Sequence, residues 1–310
     1  MYKEHRIAVV VPAHNEEAHI AKVIETMPPF VDHIFVVDDC SADATSERAR
    51  EVGDSRVEVI RHEQNTGVGG AILTGHRRGL AVGADVSVVM AGDAQMDPAY
   101  LGELLDPVVE RGYGFSKANR FFSSDSYAGM PKYRIFGNVV LSFLTKVASG
   151  YWNLFDPQNG YTAVRTDVLK RLNLDRIAKT YEFENDLLIN LNILNVRATD
   201  VPIPAVYGEE VSGIKLRRVV PAISSLLLKG FWKRITRKYV VPSFHPIALL
   251  LFTGLALVGW SVLFGLWVIW QTIGPDQAST GTVLLSVAPF LVGIQLLINA
   301  LTLDIQATPD

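Results

Sequence analysis

One cysteine, Cys40, stands among 310 residues. That excludes an intramolecular disulfide framework and suits a reducing compartment. Acidic residues are missing from 211–275, where eight Lys/Arg stand unopposed, and basic residues are missing from 276–310, which carry three acids. Charge of either sign is absent from 246–270 and from 280–303. The opening stretch "MYKEHRIAVVVP" has too short an apolar run for a secretory signal, and "NTGVGGAILTG" lacks the G-x-G-x-x-G spacing, with Ile72 where the third glycine belongs. The dinucleotide-fingerprint reading is therefore weak. At 49% hydrophobic content the chain is not disordered and can bury one large core or two modest ones.

The two charge-free runs are 25 and 24 residues long. At about 1.5 Å per residue each reaches across a hydrocarbon core of about 30 Å, and soluble helices rarely go so far without a polar face. They are expected to form a transmembrane hairpin at about 246–270 and 280–303. Trp260, Trp267 and Trp270 suit interfacial anchoring, and Gly254, Gly259 and Gly265 offer small surfaces for helix packing, including packing in a homo-oligomer. The net charge of -3 conceals -8 over residues 1–210, +8 over 211–275 and -3 over 276–310. By the positive-inside rule both termini and any catalytic part face the cytosol, with the chain in a bacterial or archaeal inner membrane. The segment "KLRRVVPAISSLLLKGFWKRITRKY" mixes basic clusters with apolar triplets and suits the headgroup layer, or else an ordinary solvated basic helix. The expected division is 1–212 catalytic domain, 213–244 basic amphipathic helices, 245–304 hairpin and 305–310 cytosolic tail.

Over the first 210 residues, short β-branched runs at 7–11, 34–37, 57–60, 86–90 and 113–117 alternate with stretches of helical character. This is the pattern of a doubly wound, Rossmann-like α/β fold with a mostly parallel sheet, in which ligands bind beyond the carboxyl ends of the strands. The segments at the ends of the first four strands are polar or glycine-rich: "VPAHNEE", "VVDDCSAD", "NTGVGGA" and "GDAQMDP". All of them should converge on one rim.

These residues in this order resemble family 2 inverting glycosyltransferases of GT-A fold, over about residues 7–215. The later features resemble their polyprenol-phosphate branch, which includes dolichyl-phosphate mannose synthase and bacterial polyprenyl-phosphate glucosyltransferases. The resemblance implies Pro12, His14 and Glu16 around the donor nucleotide, Asp39 with Asp38 at the base edge, and Asn65, Gly67 and Gly70 in a loop close to the nucleotide. The family's Asp-Ala-Asp-x-Gln element, which holds Mg²⁺ or Mn²⁺ on the donor diphosphate, aligns with Asp93 and Gln95 as ligands, and Ala91 replaces its first acid. Asp97 is better placed to cap a helix starting at Pro98. Arg120 and Arg134, with Asn138 one turn beyond, are implied at the acceptor phosphate, where paired guanidinium groups bind bidentately. Asp156 of "DPQNGY" is implied near the anomeric carbon and, with Asp93, is the catalytic candidate. Lys215 is implied at the diphosphate, and one acid among Glu182, Glu184 and Asp186 is implied to be functional.

A second reading stays open for several of these residues. Asp38, Asp39, Ser41 and Asp43 also suit a turn and helix cap, and the arginines suit a solvated helix. The expected activity is a metal-dependent transfer of a hexose from a UDP- or GDP-sugar to a polyprenyl phosphate at the membrane, with no nucleic-acid partner. The alternatives are another lipid or glycan acceptor, and a non-catalytic nucleotide-sugar-binding membrane protein, which Ala91 motivates. The chain lacks the Gln-x-x-Arg-Trp element of processive relatives.

Overall fold

A strand buried on both faces must be apolar throughout, and β1 (Ile7–Ala13) is buried at all seven positions. The computed structural model describes residues 1–122, 132–156, 159–204, 216–273 and 278–309. It forms two compact units, residues 1–231 with Pro309 and residues 232–308. The division falls inside helix α8 (Leu216–Arg234), whose Ile223 and Leu227 pack with Ala148 and Ile189 in the core of the first unit.

The first unit holds a seven-stranded sheet in the order β3-β2-β1-β4-β6-β5-β7. Its strands after β1 are β2 (His33–Asp38), β3 (Val57–Arg61), β4 (Val86–Val89), β5 (Phe115–Asn119), β6 (Thr162–Arg165) and β7 (Ala198–Pro202). Only β6 runs antiparallel, against β4 and β5, so the doubly wound expectation holds for the rest. The helices between them are α1 (Ile20–Glu25), α2 (Thr45–Glu51), α3 (Val68–Ala81), α4 (Leu101–Glu110), α5 (Lys132–Ser149), α6 (Thr166–Arg171) and α7 (Phe183–Ile193). The five expected strands all form. The fifth starts two residues late, after Gly112 at φ +71° and after Gly114, which sits against Val196 and Val168. Alternation along β1 sends Ile7, Val9 and Val11 into one core with Ile20, Ile34 and Leu104, and sends Val10 to the other face beside Val37 and Ala71. The sequence pattern does not announce β6 or β7.

The glycines of "NTGVGGAILTG" serve close packing. Gly69 lies against Phe183 and the backbone of residues 178 and 179, and a methyl group on Gly75 would overlap the Val10 side chain. α3 therefore contributes no side chain of its own at that crossing and rests directly on Val10 of β1.

In the second unit α9 (Pro246–Thr272) and α10 (Thr280–Gln306) are each long and apolar enough to cross a membrane. They cross at Gly254 and Gly293, where a Cβ on either glycine would stand 3.0 Å from the other's carbonyl oxygen. Gly265 faces Ser286, whereas Gly259 meets nothing within 4 Å. Asp304, near the end of α10, accepts from Arg234 through both oxygens, at 2.7 and 3.0 Å, and from the Tyr239 hydroxyl at 2.7 Å. Arg234 is fully buried, so this forked pair clamps the π-helical turn Ile235–Val240 to the hairpin.

Gly75→Ala is expected to destabilise the first unit by about 1–3 kcal/mol through overpacking. Gly79→Ala, whose new methyl meets Ala8 Cβ at 3.5 Å, should be neutral or stabilising by up to about 1 kcal/mol from helix propensity. Thermal melting of the two variants checks the contrast.

Candidate active site

The parallel register brings the ends of β1, β2 and β4 together, with Ala13 opposite Asp38 and Val10 opposite Val89. A cleft of about 290 Å³ opens there. Pro12 lines it from β1, His14 and Glu16 from the turn after β1, Asp39 from just beyond β2, Asn65 from the loop before α3 and Asp93 from the loop after β4. Thr180 and Tyr181, just ahead of α7, complete the wall. The turns at these strand ends take left-handed backbone at Asn15 (φ 61°), Cys40 (φ 62°) and Ala94 (φ 58°). Asn tolerates that region, while Cys and Ala are held there at a cost of order 1 kcal/mol each, as at many ligand loops.

The acids after β2 divide their work. Asp38 is fully buried and outside the cleft wall; it accepts from Ser41 N–H at 2.8 Å, which holds the turn, and from the Ser46 hydroxyl in α2, whose N-cap residue is Ala44. Asp39 lines the cleft and ties together the loop before α3. Its Oδ1 accepts from His62 Nδ1 at 2.7 Å and from the Thr66 amide and hydroxyl at 2.9 Å each, and Oδ2 accepts from Gly67 N–H at 2.7 Å. These donors outweigh its desolvation and hold its pKa below the usual carboxylate value. The His14 ring, through Nδ1, is 2.9 Å from the Asp39 carbonyl oxygen. Gly67, at φ +89°, caps α3, whereas Gly70 N–H donates to the Lys179 carbonyl and lies outside the cleft wall.

In "GDAQMDP", Asp93 Oδ1 accepts from Gln95 N–H at 3.1 Å in an Asx turn, and Ala91 N–H is 3.1 Å from the Met96 sulfur. Asp97 accepts from Ala99 N–H and caps a 3₁₀ turn at Pro98–Tyr100, as its sequence position implies. Gln95 does not line the cleft, so Asp93 is the carboxylate that this loop presents to it. Among the described residues no group of three or more His, Cys, Asp or Glu side chains converges on a metal position. The donor set suits a hard cation carried in on a diphosphate, which takes its other ligands from phosphate and water.

Arg120, expected from the sequence at the acceptor phosphate, and Asp156, expected near the anomeric carbon, meet. Arg120 Nε and Nη2 donate to the two Asp156 oxygens at 2.7 and 3.1 Å, and the Arg120 side chain is 33% exposed while Asp156 is 1% exposed. Arg134 stands in the first turn of α5, one turn before Asn138, and its side chain lies outside the described residues, as does Lys215. The three acids before and within α7 also separate. Glu182 accepts from the Thr180 hydroxyl, Asp186 accepts from Ala178 N–H and Asn190, and Glu184 faces Gly160 across a small cavity.

That cavity holds a residue with no sequence signal beyond its strand. Lys117 on β5 is 1% exposed, donates to the Asn159 carbonyl and lines the cavity with Gly160, Thr162 and Glu184. Burial pushes the Lys117 pKa down and the Glu184 carboxyl up, and the charges of Asp156, Glu184 and Asp200 offset only part of the Lys117 shift. Asp200 Oδ1 is buried with no hydrogen-bond partner among the described residues, its Oδ2 accepts from Phe155 N–H, and burial pushes its pKa up to about 6.

The family model for glycosyl transferase family 2 matches residues 8–172. A UDP-N-acetylglucosamine–dolichyl-phosphate N-acetylglucosaminyltransferase of Methanococcus voltae is 31% identical over 218 residues, which is 66% of this chain and 86% of that one. An undecaprenyl-phosphate mannosyltransferase of Micrococcus luteus is 31% identical over 209 residues, 66% of this chain and 85% of its own. Among solved structures, glucosyl-3-phosphoglycerate synthase of Mycobacterium tuberculosis, in complex with Mn²⁺, UDP and glucosyl-3-phosphoglycerate, superposes with a TM-score of 0.55 at 23% identity, over 74% of this chain and 80% of that one. The fold is accordingly GT-A.

Asp200 binds its proton more tightly folded than unfolded, so its contribution to stability is present below about pH 4 and is lost as pH rises through about 6. Asp200→Asn should melt at the wild-type temperature at pH 4 and be stabilised by about 3 kcal/mol at pH 8, read from melting curves at the two pH values.

Proposed function

The chain belongs to glycosyl transferase family 2, and we propose that it moves a hexose from a nucleotide sugar to a polyprenyl phosphate, with inversion at the anomeric carbon. The observation that carries this reading is the convergence of Asp39, His14 and Asp93 on one cleft, in a chain that also holds the Arg120–Asp156 pair and two helices of membrane-crossing length. The relatives' own acceptors, dolichyl and undecaprenyl phosphate, support the choice of acceptor.

An oxygen of the acceptor phosphate attacks the anomeric carbon from the face opposite the nucleotide. The new C–O bond forms as the bond to the donor diphosphate breaks, and the nucleoside diphosphate leaves with the electron pair. The acceptor needs no strong base, because a phosphate monoester is largely ionised at neutral pH. Asp156 is suited to orienting: it is nearly inaccessible and holds the Arg120 guanidinium in a fork. Arg120, with Arg134 and Asn138 on α5, is the phosphate-holding set. A bound Mg²⁺ or Mn²⁺, held by Asp93 with Gln95 beside it, would neutralise charge on the departing diphosphate. Eight Lys/Arg in 211–275 against none in the loop between the spans support a cytosolic catalytic unit and cytosolic chain ends.

Asp39 also bears on the base. Its Oδ1 already takes three donors and its Oδ2 one, which leaves room for one further hydrogen bond at Oδ2. Uracil presents a single ring N–H; guanine presents a ring N–H and an amino group side by side and calls for both oxygens. UDP is therefore the preferred nucleotide. Calorimetry should show UDP binding at least about tenfold tighter than GDP, the value of one charge-assisted hydrogen bond. Equal affinities would remove Asp39 from base selection.

The deciding assay offers purified protein UDP-glucose, UDP-galactose, UDP-N-acetylglucosamine and GDP-mannose with polyprenyl phosphate, with and without Mg²⁺ or Mn²⁺. Organic-extractable labelled product that requires metal and falls by about a hundredfold or more in Asp93→Ala is the expected result. Because Ala91 stands in the cleft where the family carries an acid, nucleotide-sugar binding without turnover on any acceptor is the outcome that would instead establish a non-catalytic binding protein.

A further inference from the structure

Helix α5 turns a stripe of large apolar side chains to the outside. Phe136 is 71% exposed, Val139 55%, Phe143 54% and Leu144 43%. They recur at i, i+3, i+7 and i+8, which is one helical face. Phe122 and Phe155, beside the Arg120–Asp156 pair in the chain, are 49% and 60% exposed. The opposite face of α5 is tied to α7: Thr145 donates to Asn185 Oδ1 at 2.9 Å, and Leu141 and Ala148 pack with Ile189 and Ile193. The stripe therefore cannot roll inward to bury itself. Contiguous apolar patches of this kind on a folded surface mark a partner.

We propose that this face of α5 docks the catalytic unit on the bilayer, lying at the boundary between headgroups and acyl chains. Three observations select lipid as the occupant. The same chain carries two helices of membrane-crossing length, so a bilayer is always at hand. Residues 132–149 contain three Lys/Arg and no acid, which complements anionic headgroups. Aromatic and cationic groups mix at the end of the stripe: Trp152 lies edge-on to Phe143 at 6.4 Å, and the Lys146 ammonium sits 3.8 Å from the centre of the Phe155 ring, as suits an interfacial belt. The inference deepens the proposed function, on which its catalytic consequence rests. The helix that bears the stripe also carries Arg134 and Asn138 at its start, so docking by its apolar face would hold these groups at the depth of a lipid phosphate.

The test uses the full chain with Cys40→Ser in vesicles of phosphatidylcholine and phosphatidylglycerol that contain no polyprenyl phosphate. Single cysteines from Phe136→Cys, Phe143→Cys and, as a control on the distant helix α2, Glu51→Cys carry an environment-sensitive fluorophore. Lipids brominated near the top of the acyl chain should quench the reporters at 136 and 143 and leave the one at 51 unaffected, since an interfacial helix sinks its apolar face about 5–10 Å. Absence of quenching overturns docking. So does quenching that appears only when polyprenyl phosphate is added, which would make the acceptor's own tail the occupant, and so does efficient cross-linking of position 143 between two copies.

A second arm compares Phe136→Ser/Phe143→Ser with wild type on a long polyprenyl phosphate in vesicles and on a short water-soluble isoprenyl phosphate. KM for the long acceptor should rise about tenfold, with turnover of the short one unchanged. Equal losses on both acceptors overturn the proposal. A wild-type protein that transfers sugar to neither acceptor defeats the functional reading alone, and the quenching then decides docking by itself.

Discussion

The hydrogen-bonded register between β1 and its two parallel neighbours is the constraint on which the candidate site depends. Ala13 stands opposite Asp38 and Val10 opposite Val89, and the pairing continues past the strands, with Asp39 N–H donating to the Ala13 carbonyl and Gly92 N–H to the Pro12 carbonyl. His14, Asp39 and Asp93 therefore sit just beyond strand ends that are level with one another. A slip of one residue would turn Asp39 to the opposite face and exchange the side chains that the strand sends into the two core faces. The register is protected by burial on both sides of the sheet and by Gly75, which lets α3 lie directly on Val10.

The side chains at that rim are held by charge as much as by packing. Asp39 draws Thr66, Gly67 and His62 onto one carboxylate, so the loop between β3 and α3 is fixed by a group that has nearly exhausted its own acceptors. Around Asp156 the balance is electrostatic. Three acids, Asp156, Glu184 and Asp200, share a region with the cations Lys117, Arg120 and Lys146. Lys117 is the innermost of the basic groups and donates to the Asn159 carbonyl. In a low-dielectric setting an unmatched charge is expensive, so the orientation of the Arg120–Asp156 fork depends on ammonium groups that touch neither proposed substrate.

Much of this is legible in the chain, and the gaps have physical causes. The first four strands announce themselves through short runs of Val and Ile, continuous in β1 where burial on both faces demands it, whereas β5, "FSKAN", is marked only by the apolar residues that open it. β6 has four residues and β7 reads "ATDVP"; neither has a strand-like composition, and pairing with neighbours decides them. The cluster on the rim is legible because each strand end carries polar or glycine residues, and so is Asp97 as a cap. Lys117 shows in the sequence only as the end of a strand, since no spacing rule marks a lysine that will be buried. The separation of Asp38 from Asp39, and of Glu184 from Glu182 and Asp186, depends on which way adjacent residues face at an element's end, where a one-residue shift reverses the answer.

The apolar stripe on α5 is hidden in the sequence for a related reason. Its spacing is that of any amphipathic helix, and the ordinary inference is that such a face points into the core. What distinguishes α5 is that its small and polar residues, Thr145 and Ala148, face the core, while Phe136, Val139 and Phe143 face out. The pattern is inverted relative to a soluble domain, and the inversion is intelligible if water is not the solvent on that side. A family 2 transferase whose acceptor is anchored in a membrane must bring a polar cleft close to a lipid phosphate without dissolving its own surface in lipid. One apolar helix face, limited to a few turns and flanked by basic side chains, meets both conditions: it gives adhesion at the boundary layer, and the charges beside it set how deep the unit can sink.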